Sequence, residues 1–436
     1  MKSYLLFYVL AFTNALHSQS YTSYFTGNPT DTLVTDLDGG ICMMGGAAEH
    51  DEAMKWFLQR CKGGDVLVLR ASGSNGYNAY LYNQLGIKVH SVETIVCHDS
   101  GASLENYLHQ KIQQAEGIWF AGGDQWDYVS YWRNSPIDSL INIAINDRKI
   151  AIGGTSAGMA ILGRYYFSAQ NGTVTSSTAL ANPYSPKVSV DSTSFLQIPF
   201  LDNVITDTHY DNPDRKGRHV VFLARMVMDW GAVAKGIACD ENTAICIPSD
   251  GIARVYGDYP DNDDNAWFIQ TNCELDSISP EECSNGQPLT WNRDETALKV
   301  YAVKGTFNGA NTFDLNNWFK GIGGDWQNWY VLNGIVNHSA SDRIHCQTSS
   351  SFPASFNEGL LTIYPNPFHG GQLILDYPGL RPGSVSIYTL DGTLVYHIPN
   401  PSADKLILYD AQFTPGGYIV QCRIEGRFIT RKLVIY

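Results

Sequence analysis

Positive charge is scarce in this chain: 29 lysines and arginines stand against 43 aspartates and glutamates, leaving a formal net charge of −14 at pH 7. With no basic run or stripe to offset that balance, the composition excludes a general binder of nucleic acid or of anionic membranes. Long apolar runs are scarce too. Beyond Phe12 no stretch approaches the roughly 18 apolar residues that a membrane-spanning helix needs, so no transmembrane anchor is expected. Nine cysteines, an odd number spread over 436 residues, do not make a disulfide scaffold. No Cys-x-x-Cys and no histidine pair has metal-ligand spacing, so no metal is expected. Cys42, Cys61, Cys97, Cys239 and Cys246 lie inside apolar segments and read as small buried hydrophobes. Cys273 and Cys283, which flank the polar stretch "CELDSISPEEC", are the pair placed to close a disulfide in an exported protein.

What is present suggests several parts. Residues 1–20, "MKSYLLFYVLAFTNALHSQS", hold one lysine, an apolar stretch from Tyr4 to Phe12 and then small and polar residues, the layout of a secretory signal processed near Ser20. Over residues 21–255 apolar runs alternate with helix-period segments, the pattern of an α/β domain with a mainly parallel sheet in three layers. Strands are expected at Asp65–Ser72, Gly86–Val92, Gly117–Gly123 and Lys149–Gly154. Met54, Phe57, Leu58 and Cys61 recur at helical spacing, as do Leu104, Leu108 and Ile112. Ser135 and Pro136 open a further helix as N-cap and first helical residue. Residues 256–345 are rich in Trp, Tyr, Asn and Asp and predict a β-rich extension of the domain that covers its site. Trp318, Trp326 and Trp329 there suit either a ligand face or a core, and the core is the commoner use. Residues 346–359 have linker composition, and residues 360–436 alternate as strands around Asp391-Gly392 and Glu425-Gly426 turns, predicting a small β-sandwich.

Chemistry concentrates around "KIAIGGTSAGMAILG", where Ser156 lies between Gly154 and Gly158 directly after an apolar run. Glycines at those positions permit a sharp strand-to-helix turn, the elbow that presents a nucleophile. They also suit a βα turn with no chemistry. A serine nucleophile needs a base within hydrogen-bond reach and a third group to orient that base. His209, in "VITDTHYDNPDRKGR", follows a strand-like run and precedes a helix, a loop position at a sheet edge where open α/β folds hold their sites. Glu241 in "GIACDENTAICI" and the strand end "WFAGGDQ", with Gly122, Gly123 and Gln125, supply a carboxylate, backbone N–H groups and an amide.

In order and spacing, "GGDQ", "GTSAGM", "DTH" and "GIACDENTA" resemble the cyanophycinase and dipeptidase E family of serine peptidases. The resemblance implies a fold of the class I glutamine amidotransferase type and, residue by residue, Ser156 as nucleophile, His209 as general base and acid, and Glu241 as orienting carboxylate. It implies an oxyanion hole from the N–H groups of Gly123 and Ala157, with Gln125, Asp207 and Thr208 lining the substrate site. Arg215 and Arg218 fall where the family places arginines toward the acidic polymer cyanophycin, a multi-L-arginyl-poly-L-aspartate. Thr208 replaces the usual glutamine of the family's "DQH", so the hydrolytic machinery is carried over more directly than the substrate. No cofactor is implied, and a homodimer is, because relatives dimerise.

The pieces "YPNPF", "IYTLDGTLV" and "PGGYIV…KLVIY" resemble the C-terminal sorting domain of the type IX secretion system. That implies export to the surface or medium and an encounter with the secretion machinery. An α/β-hydrolase esterase is disfavoured because its acid precedes its histidine, whereas Glu241 follows His209. A binding protein that keeps the fold without activity stays open.

Overall fold

The computed structural model describes residues 19–345 and 361–436, apart from 193–194, 378–381, 390–393, 400, 402–404, 410–412 and 425–426. The signal segment up to residue 18, the linker and the two hairpin turns expected at Asp391-Gly392 and Glu425-Gly426 lie outside the described residues. The chain divides between residues 345 and 346 into two units.

The first unit carries a ten-stranded sheet in the order Tyr21–Gly27, Ser91–Cys97, Asp65–Arg70, Gly117–Phe120, Ala151–Thr155, Gly40–Met44, Ala244–Ile247, Ile252–Tyr259, Asn311–Asp314, Gly321–Ile322. Parallel pairing joins the five strands from Ser91–Cys97 to Gly40–Met44. Antiparallel strands complete both edges. The parallel strands read as apolar runs because both faces are covered; Val66 to Leu69 and Ile118 to Phe120 are all buried. On one face the helix Asp51–Arg60 buries Met54, Phe57 and Leu58, and on the other the helix Pro136–Asn146 buries Ile137, Ile141 and Ala144.

A second sheet of six strands runs Ile335–Ala340, Gly324–Leu332, Leu298–Lys304, Asn265–Thr271, Lys235–Cys239, Val204–Asp207. Its last pair is parallel and the others antiparallel. The segment 256–345 therefore adds strands to both sheets. Trp318 and Trp329 are core residues, at 1% and 2% exposure, and Trp326 packs on the first core.

Three local expectations need correction. The strand expected at Gly86–Val92 forms at Ser91–Cys97, where the run Val92 to Val96 is buried between neighbours on both sides. Leu104 does not share the buried face of Leu108 and Ile112; it closes a short 3-10 turn and is exposed. Cys273 is disulfide-bonded, but not to Cys283, which is a free thiol packed with Tyr184, Leu289 and Trp291 in the core of the second sheet. Burial there pushes the Cys283 thiol up to about 11.

The second unit is a pair of antiparallel sheets. One orders Thr362–Tyr364, Gln372–Asp376 and Lys405–Tyr409; the other orders Leu394–Pro399, Ser384–Thr389, Gly416–Ile424 and Arg427–Ile435. Leu373, Leu375, Val385, Ile387, Val420 and Leu433 fill the core between them, as alternate residues of a sandwich do.

Candidate functional site

Strands Gly40–Met44 and Ala151–Thr155 run parallel with Met44 opposite Thr155, so both chains leave the sheet at one edge. Ser156 follows directly, its N–H donating to the Met44 carbonyl at 3.1 Å. Its backbone sits at φ 50°, ψ −115° before the short helix Ala157–Ala160. Such a conformation costs a residue with a side chain on the order of 1–3 kcal/mol and persists when the surroundings enforce it. The enforcing contacts are backbone to backbone. A Cβ on Gly154 would lie 2.6 Å from the Gly158 carbonyl carbon, and one on Gly158 would lie 2.1 Å from the Phe120 carbonyl oxygen.

His209 follows the strand Val204–Asp207, its N–H donating to the Gly45 carbonyl at 2.8 Å. That bond turns the imidazole toward the elbow. Nε2 stands 2.8 Å from the Ser156 hydroxyl and Nδ1 stands 2.5 Å from Glu241 Oε1. Since an ionised carboxylate only accepts, Nδ1 carries the proton and Nε2 is left to accept from serine. The His209 hydrogen bond holds the Glu241 carboxyl below its ordinary range, against partial burial that raises it. Asn212 Nδ2 donates to the other Glu241 oxygen at 3.3 Å, and the Glu241 N–H donates to Asp211 at 3.0 Å.

Gly45 and Gly46 tie the two loops together. Gly45 N–H donates to the Thr243 carbonyl, and the Gly46 carbonyl accepts from Asn242 N–H. Gly46 has φ +116°, and a Cβ there would lie 2.4 Å from His209 Nε2. Beside Ser156 passes the Gly122-Gly123 strand end; a Cβ on Gly122 would lie 3.6 Å from that of Ser156. Among the described residues the N–H groups of Gly123 and Ala157 meet no protein acceptor.

Ser156 and His209 open onto a cleft of about 530 Å³, which Glu49, Asp51, Arg70, Tyr77 and Tyr80 also line. Burial pushes the Glu49 carboxyl above its ordinary value, opposed by a hydrogen bond from Tyr77. The five residues expected to hold substrate do not line this cleft. Asp207 and Arg218 are 3% and 4% exposed and pair with each other, the guanidinium Nε donating to Asp207 Oδ2 at 2.9 Å. Burial opposes the Asp207 charge, yet Arg218 prevails and holds that carboxyl below its ordinary value. Thr208 is buried, and its carbonyl accepts from the Arg215 guanidinium at 3.1 Å. Gln125 begins the helix Gln125–Trp132 and donates to the Phe167 carbonyl at 3.3 Å. The family motif fixed where these residues stand in the chain, and packing decided which way they turned.

Arg70, Glu49 and Asp51 are site residues that the sequence reading missed. A signal for Arg70 existed: it is a lone charge at the carboxyl end of a buried strand, the edge at which open α/β sheets hold ligands. The segment 256–345 contributes no residue to the cleft, so it does not cover the site as expected. No group of histidines, cysteines or carboxylates among the described residues is arranged to hold a metal ion.

An alcohol, an imidazole and a carboxylate hydrogen-bonded in series at the carboxyl edge of a parallel sheet define the class of serine hydrolases. Residues 45–255 match the model of peptidase family S51. Residues 362–436 match the secretion system C-terminal sorting domain. Curated relatives include the cyanophycinases of Synechococcus elongatus and of Thermosynechococcus vestitus, each 26% identical over 229 residues, which is 50% of this chain and 66% of the relative. The chain thus spans just under two thirds of those relatives. A solved peptidase from an acI-B1 Actinobacterium is similar at 16% identity and a TM-score of 0.38, over 50% of this chain and 88% of that one. No helix among the described residues is long and apolar enough to cross a membrane.

Proposed function

We propose that the chain is an exported serine peptidase that hydrolyses peptide or isopeptide bonds of aspartate, with cyanophycin or β-aspartyl peptides as substrates. The observation that carries this reading is the continuous series Ser156 Oγ, His209 and Glu241 at 2.8 and 2.5 Å, opening on a cleft. Ser156 attacks the scissile carbonyl while His209 Nε2 takes the hydroxyl proton, and the resulting imidazolium is stabilised by Glu241. The N–H groups of Gly123 and Ala157 receive the developing oxyanion. Collapse expels the amine, which leaves with the proton from His209, and an ester to Ser156 remains. Water then attacks that ester with His209 again as base, releasing the acid and restoring the serine. An N-terminal signal carries the protein across the inner membrane, and the sorting domain hands it to the type IX machinery.

The test is hydrolysis by the purified protein of cyanophycin granules and of α- and β-aspartyl dipeptides, with Ser156→Ala beside it. Release of free amines by the unmutated protein alone is the expected result. Equal hydrolysis by Ser156→Ala would refute the site, and inertness of both toward every aspartyl bond would leave a serine peptidase or esterase of other specificity, or a binding protein, on this fold.

A further inference from the structure

The cleft beside Ser156 holds charges of both signs that the protein does not pair. The Arg70 guanidinium is gripped by main-chain carbonyls: Nη1 donates to Ser74 at 2.8 Å and Nε donates to Ser72. The intervening Gly73, at φ +89°, lets the loop wrap so closely that a Cβ there would lie 2.2 Å from Nη2. Yet among the described residues no carboxylate oxygen stands within 4 Å of this guanidinium. Glu49 and Asp51 are the converse. Each carboxylate accepts from a tyrosine hydroxyl, Tyr77 on Glu49 and Tyr80 on Asp51, the latter at 2.8 Å, and neither has a cation within 4 Å among the described residues.

A flexible arginine beside two carboxylates ordinarily swings over to pair, because a charge-assisted fork is the strongest contact either can make. Here the loop carbonyls hold one partner and the tyrosines hold the others, so opposite charges stay apart across about 530 Å³ of open space. Charges fixed in advance and left without internal partners favour a ligand that supplies both complements, since little reorganisation is then needed on binding.

We infer that this cleft sorts substrates by a pair of opposite charges: Arg70 takes a substrate carboxylate, and Glu49 with Asp51 takes a guanidinium or ammonium group. The inference rests on the reading of Ser156 as the reacting group of the same cleft, and it moves carboxylate recognition from Arg215 and Arg218 to Arg70. The ligand class is an aspartyl peptide unit that carries a free carboxylate and a basic side chain or amine.

Binding and hydrolysis separate this inference from the peptidase reading. Calorimetry with the Ser156→Ala protein would use three ligands: β-aspartyl-arginine, its C-terminal amide, and β-aspartyl-citrulline. The expected result is binding of the first at least about tenfold tighter than either analogue, the scale of one lost charge-assisted contact. Arg70→Gln should erase the preference over the amide but keep the preference over citrulline. Glu49→Gln with Asp51→Asn should do the reverse, and Arg70→Lys, which keeps the charge, should retain part of the carboxylate preference. Equal binding of all three ligands overturns the inference even if the unmutated protein cleaves them. Charge-selective binding by a protein that cleaves none of them supports the inference and removes the peptidase reading instead.

Discussion

Asp207 and His209 are two residues apart, and Asp240 and Glu241 are adjacent, yet in each motif one side chain reaches the cleft region and the other turns inward. His209 and Glu241 meet at about one-fifth exposure each, whereas Asp207 is 3% exposed against Arg218 and Asp240 is 3% exposed beside Asn265. The outward pair forms a hydrogen-bonded series that ends on Ser156. The inward residues hold loops: Arg218 bridges Asp207 to the Val174 carbonyl, and Asp240 accepts from the N–H and the side-chain amide of Asn265 at 3.0 and 3.1 Å. Asn265 belongs to the strand Asn265–Thr271, so the 256–345 segment acts on the site by bracing the turn that carries Glu241. The difference teaches that exposure divides the residues facing Ser156 from those that hold the loops within a single motif, and each side of that division can be broken separately.

The largest effect is expected on the outward side. Ser156→Ala should lower the rate of aspartyl peptide hydrolysis on the order of 10⁴-fold or more, while its thermal unfolding stays close to that of the unmutated protein. A stability loss matching the activity loss would mean that Ser156 supports the turn and does no chemistry. Next comes the inward side. Removing one partner of a buried ion pair leaves the other uncompensated, so Asp207→Ala should cost about 3–5 kcal/mol in denaturant unfolding. The double variant Asp207→Ala, Arg218→Met should recover much of that loss. If Asp207→Ala instead kept full stability and lost only substrate affinity, the inward assignment would fail.

Gly46 joins the two sides. A methyl group there meets the His209 ring at 2.4 Å, so Gly46→Ala must move either the loop or the imidazole. A displacement near 1 Å costs about 10²-fold in rate, and the expected signature is a fall in kcat with an intact circular dichroism spectrum. Unchanged kcat would show that the His209 ring has room to yield to a methyl group at residue 46.

Much of the site was legible in the sequence because backbone requirements leave marks. Gly154, Gly158, Gly45 and Gly46 occupy places where a Cβ has no room, and such glycines flag Ser156 and the loop facing His209. Side-chain direction leaves no such mark. "DTH" specifies neither that Asp207 turns to Arg218 nor that Arg215 donates to the main chain of Thr208, and both depend on packing against the helix Lys216–Trp230. Arg70, Glu49 and Asp51 come from two segments with no shared motif, so only the fold brings them to one cleft. The segment 256–345 showed its strands but not its pairing, because its partners lie far upstream. Cys283 was misread for a similar reason: nearness to Cys273 in the chain counted for less than the core it joins.

The last expected effect concerns Asp240, and it tests whether the inward carboxylates share one character. Asp207 and Glu241 are held below the ordinary carboxylate range by Arg218 and His209. Asp240 goes the other way: burial raises its carboxyl to about 7, with Asp211 adding to the rise and Asn265 and Lys216 opposing it. In the unfolded chain the same group titrates near about 4, so between roughly pH 4 and 7 the folded state binds more protons and stability falls as pH rises. Asparagine resembles the protonated acid in shape and keeps an acceptor for Asn265. Asp240→Asn should therefore remove this part of the fall, its stability curve drawing away from that of the unmutated protein as pH rises from 4 and running parallel to it well above 7. Glu116, raised to about 7, and Asp138, raised to about 6, titrate in the same window, and both are unchanged in the variant, so the difference between the two curves belongs to Asp240. Curves that stay parallel across the whole window would place Asp240 with Asp207, ionised in its buried position and held there by its neighbours.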